Sequence, residues 1–83
     1  MDKVLIQVFV PVLERSFDMF VPLRLPMYEV LELVKRAVEE LSEGSFRADE
    51  STVLCRREDG AILNINQSVH ELKIQNGSTL MLI

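Results

Sequence analysis

The segment "SVHELKIQNGSTLMLI", residues 68–83, decides the fold, because it holds a helical turn, a corner and a strand in succession. Ser68 and Glu71 have capping-box spacing, in which the hydroxyl accepts an amide bond and the carboxylate reaches back to the first residue's N–H. Asn76-Gly77 then supplies a corner. "STLMLI" alternates as a strand should, with Leu80 and Leu82 on one face and Met81 and Ile83 on the other. Such a strand needs a partner, and the apolar segment suited to it lies at the opposite end of the chain.

That segment is "KVLIQVFV", residues 3–10, rich in β-branched residues, with Val4, Ile6 and Val8 on one face and Leu5, Gln7 and Phe9 on the other. "PVLERS" carries a turn, and "FDMFVPL" alternates around Phe17, Met19 and Val21 as an antiparallel second strand. Pro22 lacks an amide hydrogen, which predicts that this strand lies at the sheet edge. "PMYEVLELVKRAVEELS", residues 26–42, is the one strong helix. At about 100° per residue, Val30, Leu31, Leu33, Val34, Ala37, Val38 and Leu41 fall within an arc of roughly 160°, opposite Glu32, Lys35, Arg36 and Glu39. Pro26 suits its first turn, Glu29 complements its dipole, Leu25 is a poor cap that would leave the start frayed, and Gly44 is the expected C-terminal cap.

After a polar connection, "TVLCR" and "AILNI" read as a second hairpin of short strands around Asp59-Gly60. The order is strand, strand, helix, strand, short strand, helical turn, strand. This predicts an α+β β-grasp: a mixed sheet of four to five strands packed on one main helix, with the last strand parallel to the first in the sheet centre. Eighty-three residues suit one domain, 1–83.

"HELKIQNGSTLMLI" is similar in spacing to the closing segment of ubiquitin, and by that match Val69, Ile74, Leu80 and Leu82 are core. Within the ubiquitin-like group, three features resemble the YukD/EsaB family of small bacterial proteins. They are "VFVPVLERSFDMFVP" with its Pro after the first strand, the "LCRREDGAIL" hairpin and the "LKIQNGSTLMLI" ending. The resemblance implies a cytoplasmic accessory component of type VII secretion that is not conjugated to other proteins. Chemistry points the same way: conjugation or sulfur transfer needs a carboxylate on a flexible Gly-Gly arm, whereas Leu82 and Ile83 are β-formers inside the predicted strand.

Composition narrows the partners. A net charge of −4 with interspersed signs argues against nucleic acid. Cys55 is the sole cysteine, which excludes an internal disulfide and fits the reducing cytoplasm. The apolar opening reads as a strand rather than a signal peptide, since it lacks a small-residue cleavage site. No segment reaches the roughly 20 apolar residues of a membrane span, so no direct insertion is expected.

Candidate catalytic groups are sparse. Cys55 lacks a neighbouring base, since the sole histidine, His70, sits on the helical turn. His70 has no cysteine or convergent carboxylates with which to hold a metal. Glu39, Glu40, Glu43, Asp49 and Glu50 read as a solvated helix end and loop, and Arg56-Arg57 as neutralised by Glu58-Asp59. Neither an enzyme nor a cofactor is expected.

The informative feature is an apolar surplus. With Val4, Ile6, Val8, Leu80 and Leu82 facing the helix, Leu5, Phe9, Met81 and Ile83 emerge on the open face of the sheet, joined by Leu54 if Val53 and Cys55 point inward. The expected site is this face, oriented by Lys3, Arg56 and Arg57. Its expected partner is a protein, such as the cytoplasmic part of a secretion-machine membrane component, and a homodimer would use the same face. A small auxiliary subunit of a multicomponent bacterial enzyme, such as an oxygenase, is the alternative.

Overall fold

Apolar alternation at one end of the chain meets apolar alternation at the other, and the sheet is built around that pairing. A computed structural model describes residues 2–83. Strand β1 (Lys3–Val10) pairs antiparallel with β2 (Arg15–Pro22) across a 3-10 turn at Pro11–Leu13. Helix α1 (Met27–Leu41) follows, then the short strand β3 (Leu54–Arg56) and the terminal β4 (Thr79–Leu82). The sheet order is β2-β1-β4-β3, with β1 and β4 parallel in the centre and β3 antiparallel to β4. This is the expected β-grasp, with Pro22 on the edge strand as its missing donor predicts.

The inner sheet face and α1 bury each other. Val4, Ile6, Val8 and Val10 from β1, Leu80 and Leu82 from β4, and Met27, Val30, Val34 and Val38 from α1 are all buried. Val69 and Ile74 close the core beneath the last turn. The predicted helical arc proves too wide: Leu33 and Leu41 are exposed, because a two-layer fold covers only the stripe that meets the sheet.

Three local predictions require correction. The start of α1 has no side-chain cap, yet it is held: Met27 N–H donates to the Gln67 carbonyl at 2.8 Å and Tyr28 N–H to Ile65 at 3.0 Å. At the other end the first left-handed residue is Glu43, φ 53°, one position before the expected Gly44, which follows at φ 81°. Glu43 N–H bonds to the Glu40 carbonyl and Gly44 N–H to Glu39, the paired bonds of a Schellman motif. Third, "AILNI" forms no strand. It contributes one bridge, Ile62 to Cys55, before the chain turns to reach the start of α1.

The capping box forms as its spacing predicts. Glu71 N–H donates to Ser68 Oγ at 3.0 Å, and Ser68 N–H donates to Glu71 Oε1 at 2.9 Å. The Asn76-Gly77 corner then joins β4 to β1: Leu5 N–H donates to Asn76 Oδ1 at 2.8 Å, and Gly77 N–H to the Leu5 carbonyl at 2.9 Å. Gly77 has φ 88°, a conformation open to glycine at little cost.

Candidate functional site

Side chains alternate across a strand, so burying one face of β1 and β4 presents the other. On that outer face stand Leu5 and Phe9 from β1 with Met81 and Ile83 at the β4 end. Leu5 and Ile83 are 38% and 51% exposed, whereas Phe9 and Met81, directly across from one another, are only partly so. Ile83 exchanges two backbone hydrogen bonds with Val53, of 2.8 and 3.0 Å, so the sheet continues through it.

Sequence reasoning missed Phe20. It lies directly across from Leu5 on β2 and is 63% exposed, which makes the Leu5–Phe20 pair the most open apolar surface on this face. The signal was available: counting outward from Phe17, Met19 and Val21 on the inner face places Phe20 on the outer one.

Two expected members do not belong. Leu54 is 3% exposed and sits across from Leu82, on the core side. The ambiguity at Val53 and Leu54 is thus settled by the register with β4. Arg56 follows two residues later on the same side, and its Nη2 donates to the Leu72 carbonyl at 2.7 Å, tying β3 to the capped turn. That bond gives Arg56 a bracing place on the core side of the sheet.

Arg57 does reach the outer face. Instead of pairing with Glu58 or Asp59, its guanidinium carbon lies 4.1 Å from the centroid of the Phe9 ring. Lys3 is exposed at the start of β1, and Asp18 projects from β2 across from Gln7. The face therefore combines an open apolar pair, an aromatic under a guanidinium, and Ile83 at the far end.

The remaining candidates take structural places. Cys55 is fully buried, and burial pushes its thiol pKa up, away from the reactive thiolate. His70 is exposed on its turn. Of the acidic run, Glu39 accepts the Ala48 amide through Oε2 at 2.8 Å and Asp49 accepts that of Ser51 through Oδ1 at 2.8 Å, fastening the connection after α1. No group of three His, Cys, Asp or Glu side chains could hold a metal among the described residues. No helix of the described residues is long and apolar enough to cross a membrane.

Comparison with known proteins adds the family. The family model described as YukD, "WXG100 protein secretion system (Wss), protein YukD", matches residues 5–82. No curated protein matches the chain. Among solved structures, the chain is similar to the ubiquitin-like domain of the Mycobacterium tuberculosis type VII secretion system protein ECCD1. Their TM-score is 0.81 at 21% identity, over 100% of this chain and 99% of that one. The EccD5 ubiquitin-like domain of Mycobacterium xenopi matches with a TM-score of 0.72 at 19% identity, over 100% of this chain and 94% of that one. A chain of an ESX-5 inner membrane complex matches with a TM-score of 0.73 at 22% identity; all of this chain is covered, but only 21% of that one. These likenesses establish the ubiquitin-like fold.

Proposed function

Because the chain belongs to the YukD family of the WXG100 secretion system, we propose that it works there as a cytoplasmic, non-conjugating docking module. It is a secretion-associated ubiquitin-like module, and the docking surface in this reading is the outer face of the sheet. The observation that carries the reading is the Leu5–Phe20 pair: two large apolar side chains facing each other on an otherwise solvated face, where isolated exposed residues would be ordinary. The likeness to a domain within a secretion-system inner membrane complex supports a protein component of such a machine as the partner.

Binding in this proposal is non-covalent. Its support is that the one thiol, Cys55, is buried, which holds it away from the reactive thiolate. The cytoplasm suits a chain whose lone cysteine needs no oxidant.

The experiment is Phe20→Asp, with secretion of a WXG100 substrate from the native host as the readout. Phe20 is mostly solvated, so the variant should keep its far-ultraviolet circular dichroism and lose no more than about 0.5 kcal/mol of stability. Secretion should fall sharply. A folded variant that secretes at the parent level would remove the outer face from the mechanism.

A further inference from the structure

The outer face has a feature that apolar docking alone does not use. Arg57 lies just beyond β3, where its N–H donates to the Thr79 carbonyl of β4. Phe9 lies one strand further on, in β1, directly across from Met81. The axes of β3 and β1 stand roughly 9–10 Å apart, farther than one arginine side chain reaches, so Arg57 and Phe9 lean toward each other and meet over β4, the guanidinium carbon 4.1 Å from the ring centroid. The guanidinium thus lies across the middle of the face. Among the described residues it makes neither an ion pair nor a side-chain hydrogen bond, although Glu58 and Asp59 follow it in sequence. Stacking on an aromatic ring satisfies the cation's face and leaves its in-plane N–H fork unused, the geometry that takes a carboxylate through two parallel bonds.

Charge selects among occupants. Among the charged side chains that strand alternation puts on this face, Lys3 and Arg57 outnumber Asp18, whereas the whole chain carries −4. In a two-fold homodimer the same patch meets itself, so a second copy would bring a positive face onto a positive face. A partner bearing acid neutralises it. Resting on the reading of the outer face as a docking surface, we propose that it receives a protein surface with a carboxylate set among apolar side chains. The carboxylate pairs with Arg57 above Phe9, and the apolar groups cover Leu5 and Phe20.

The test uses two synthetic amphipathic helical peptides with identical leucine spacing, one flanked by glutamates and one by lysines, titrated into the isotopically labelled chain. The glutamate peptide should shift the backbone amides of Leu5, Phe9, Phe20, Arg57 and Met81 and bind about tenfold tighter than the lysine peptide. Salt should narrow that difference. Arg57→Glu should invert the preference, and Phe9→Leu, which removes the ring but keeps the face apolar, should weaken it. If both peptides shift these amides equally and Arg57→Glu changes nothing, the face docks without charge selection, which overturns the inference and leaves the docking reading standing. If neither peptide shifts them, both fail. If dilution alone shifts them, a second copy covers the face and the inference fails.

Discussion

Glu43 occupies a left-handed conformation, φ 53°, while glycine stands one position later at φ 81°. An L-residue in that region pays a steric cost that glycine avoids, and a carboxylate beside the carbonyl end of α1 adds like charge to the helix dipole. Glu43→Gly should therefore stabilise the domain by about 0.5–1 kcal/mol, which corresponds to a rise of several degrees in thermal midpoint for a domain of this size. A midpoint unchanged or lowered in calorimetry would show that the Glu43 side chain has a compensating contact. Gly44 drew the cap prediction because glycine is the usual left-handed residue; nothing local reveals a shift of one position. Arg56 was opaque for a similar reason. Its bond to the Leu72 carbonyl joins residues 16 apart in sequence, and only the folded chain shows it.

At the scale of elements, periodicity made most of the fold legible. The strands β1, β2 and β4, helix α1 and the capped turn all carry a period or a spacing that few other structures satisfy. "AILNI" carried the same apolar signal as a strand, yet its backbone is divided: Ala61 and Leu63 bond to Arg56 and Leu54 around a single bridge, while the Ile65 carbonyl turns to the start of α1.

The edge strand shows how register assigns roles to backbone groups. Gln7 N–H and the Leu5 carbonyl bond toward the β4 side, so the even-numbered residues of β1 turn to β2, and their partners are the odd-numbered residues Arg15, Phe17, Met19 and Val21. Ser16, Asp18, Phe20 and Pro22 consequently aim their backbone groups at the open edge. Pro22 withholds a donor there and Asp18 adds a charge, both devices that discourage edge-to-edge pairing. Replacing both, Asp18→Val with Pro22→Val, should increase concentration-dependent self-association over the parent chain in sedimentation experiments. Either change alone should do less. Association equal to the parent's would mean that the edge is protected by its twist rather than by these residues.

At the scale of the whole molecule, the question is whether so small a fold opens in parts or all at once. Its radius of gyration, 11.6 Å, is that of a compact chain of this length, about 12 Å. Cys55 offers a built-in reporter. Its thiol is fully buried in the three-residue strand β3, two strands away from Ile6 in β1, and burial pushes its pKa up. Thiolate is the reactive form, so reagent should reach it only through opening. Ile6→Ala empties part of the core and should cost about 2–5 kcal/mol, a large share of the roughly 5–15 kcal/mol that holds a domain together. If the fold opens as one unit, disulfide-exchange labelling of Cys55 should accelerate by the factor by which the unfolding constant rises, about 30-fold for the lower figure. A pH series adds a second constraint. Because the folded thiol pKa is raised, the fold favours the protonated form; that contribution is present below the ordinary thiol value and is lost as pH rises through the raised one. Stability should decline on the alkaline side, and Cys55→Ala should flatten the decline. Labelling that ignores Ile6→Ala would show instead that β3 detaches from β4 while the core stays closed, and Arg57, the residue that follows β3, would then leave Phe9 along with it.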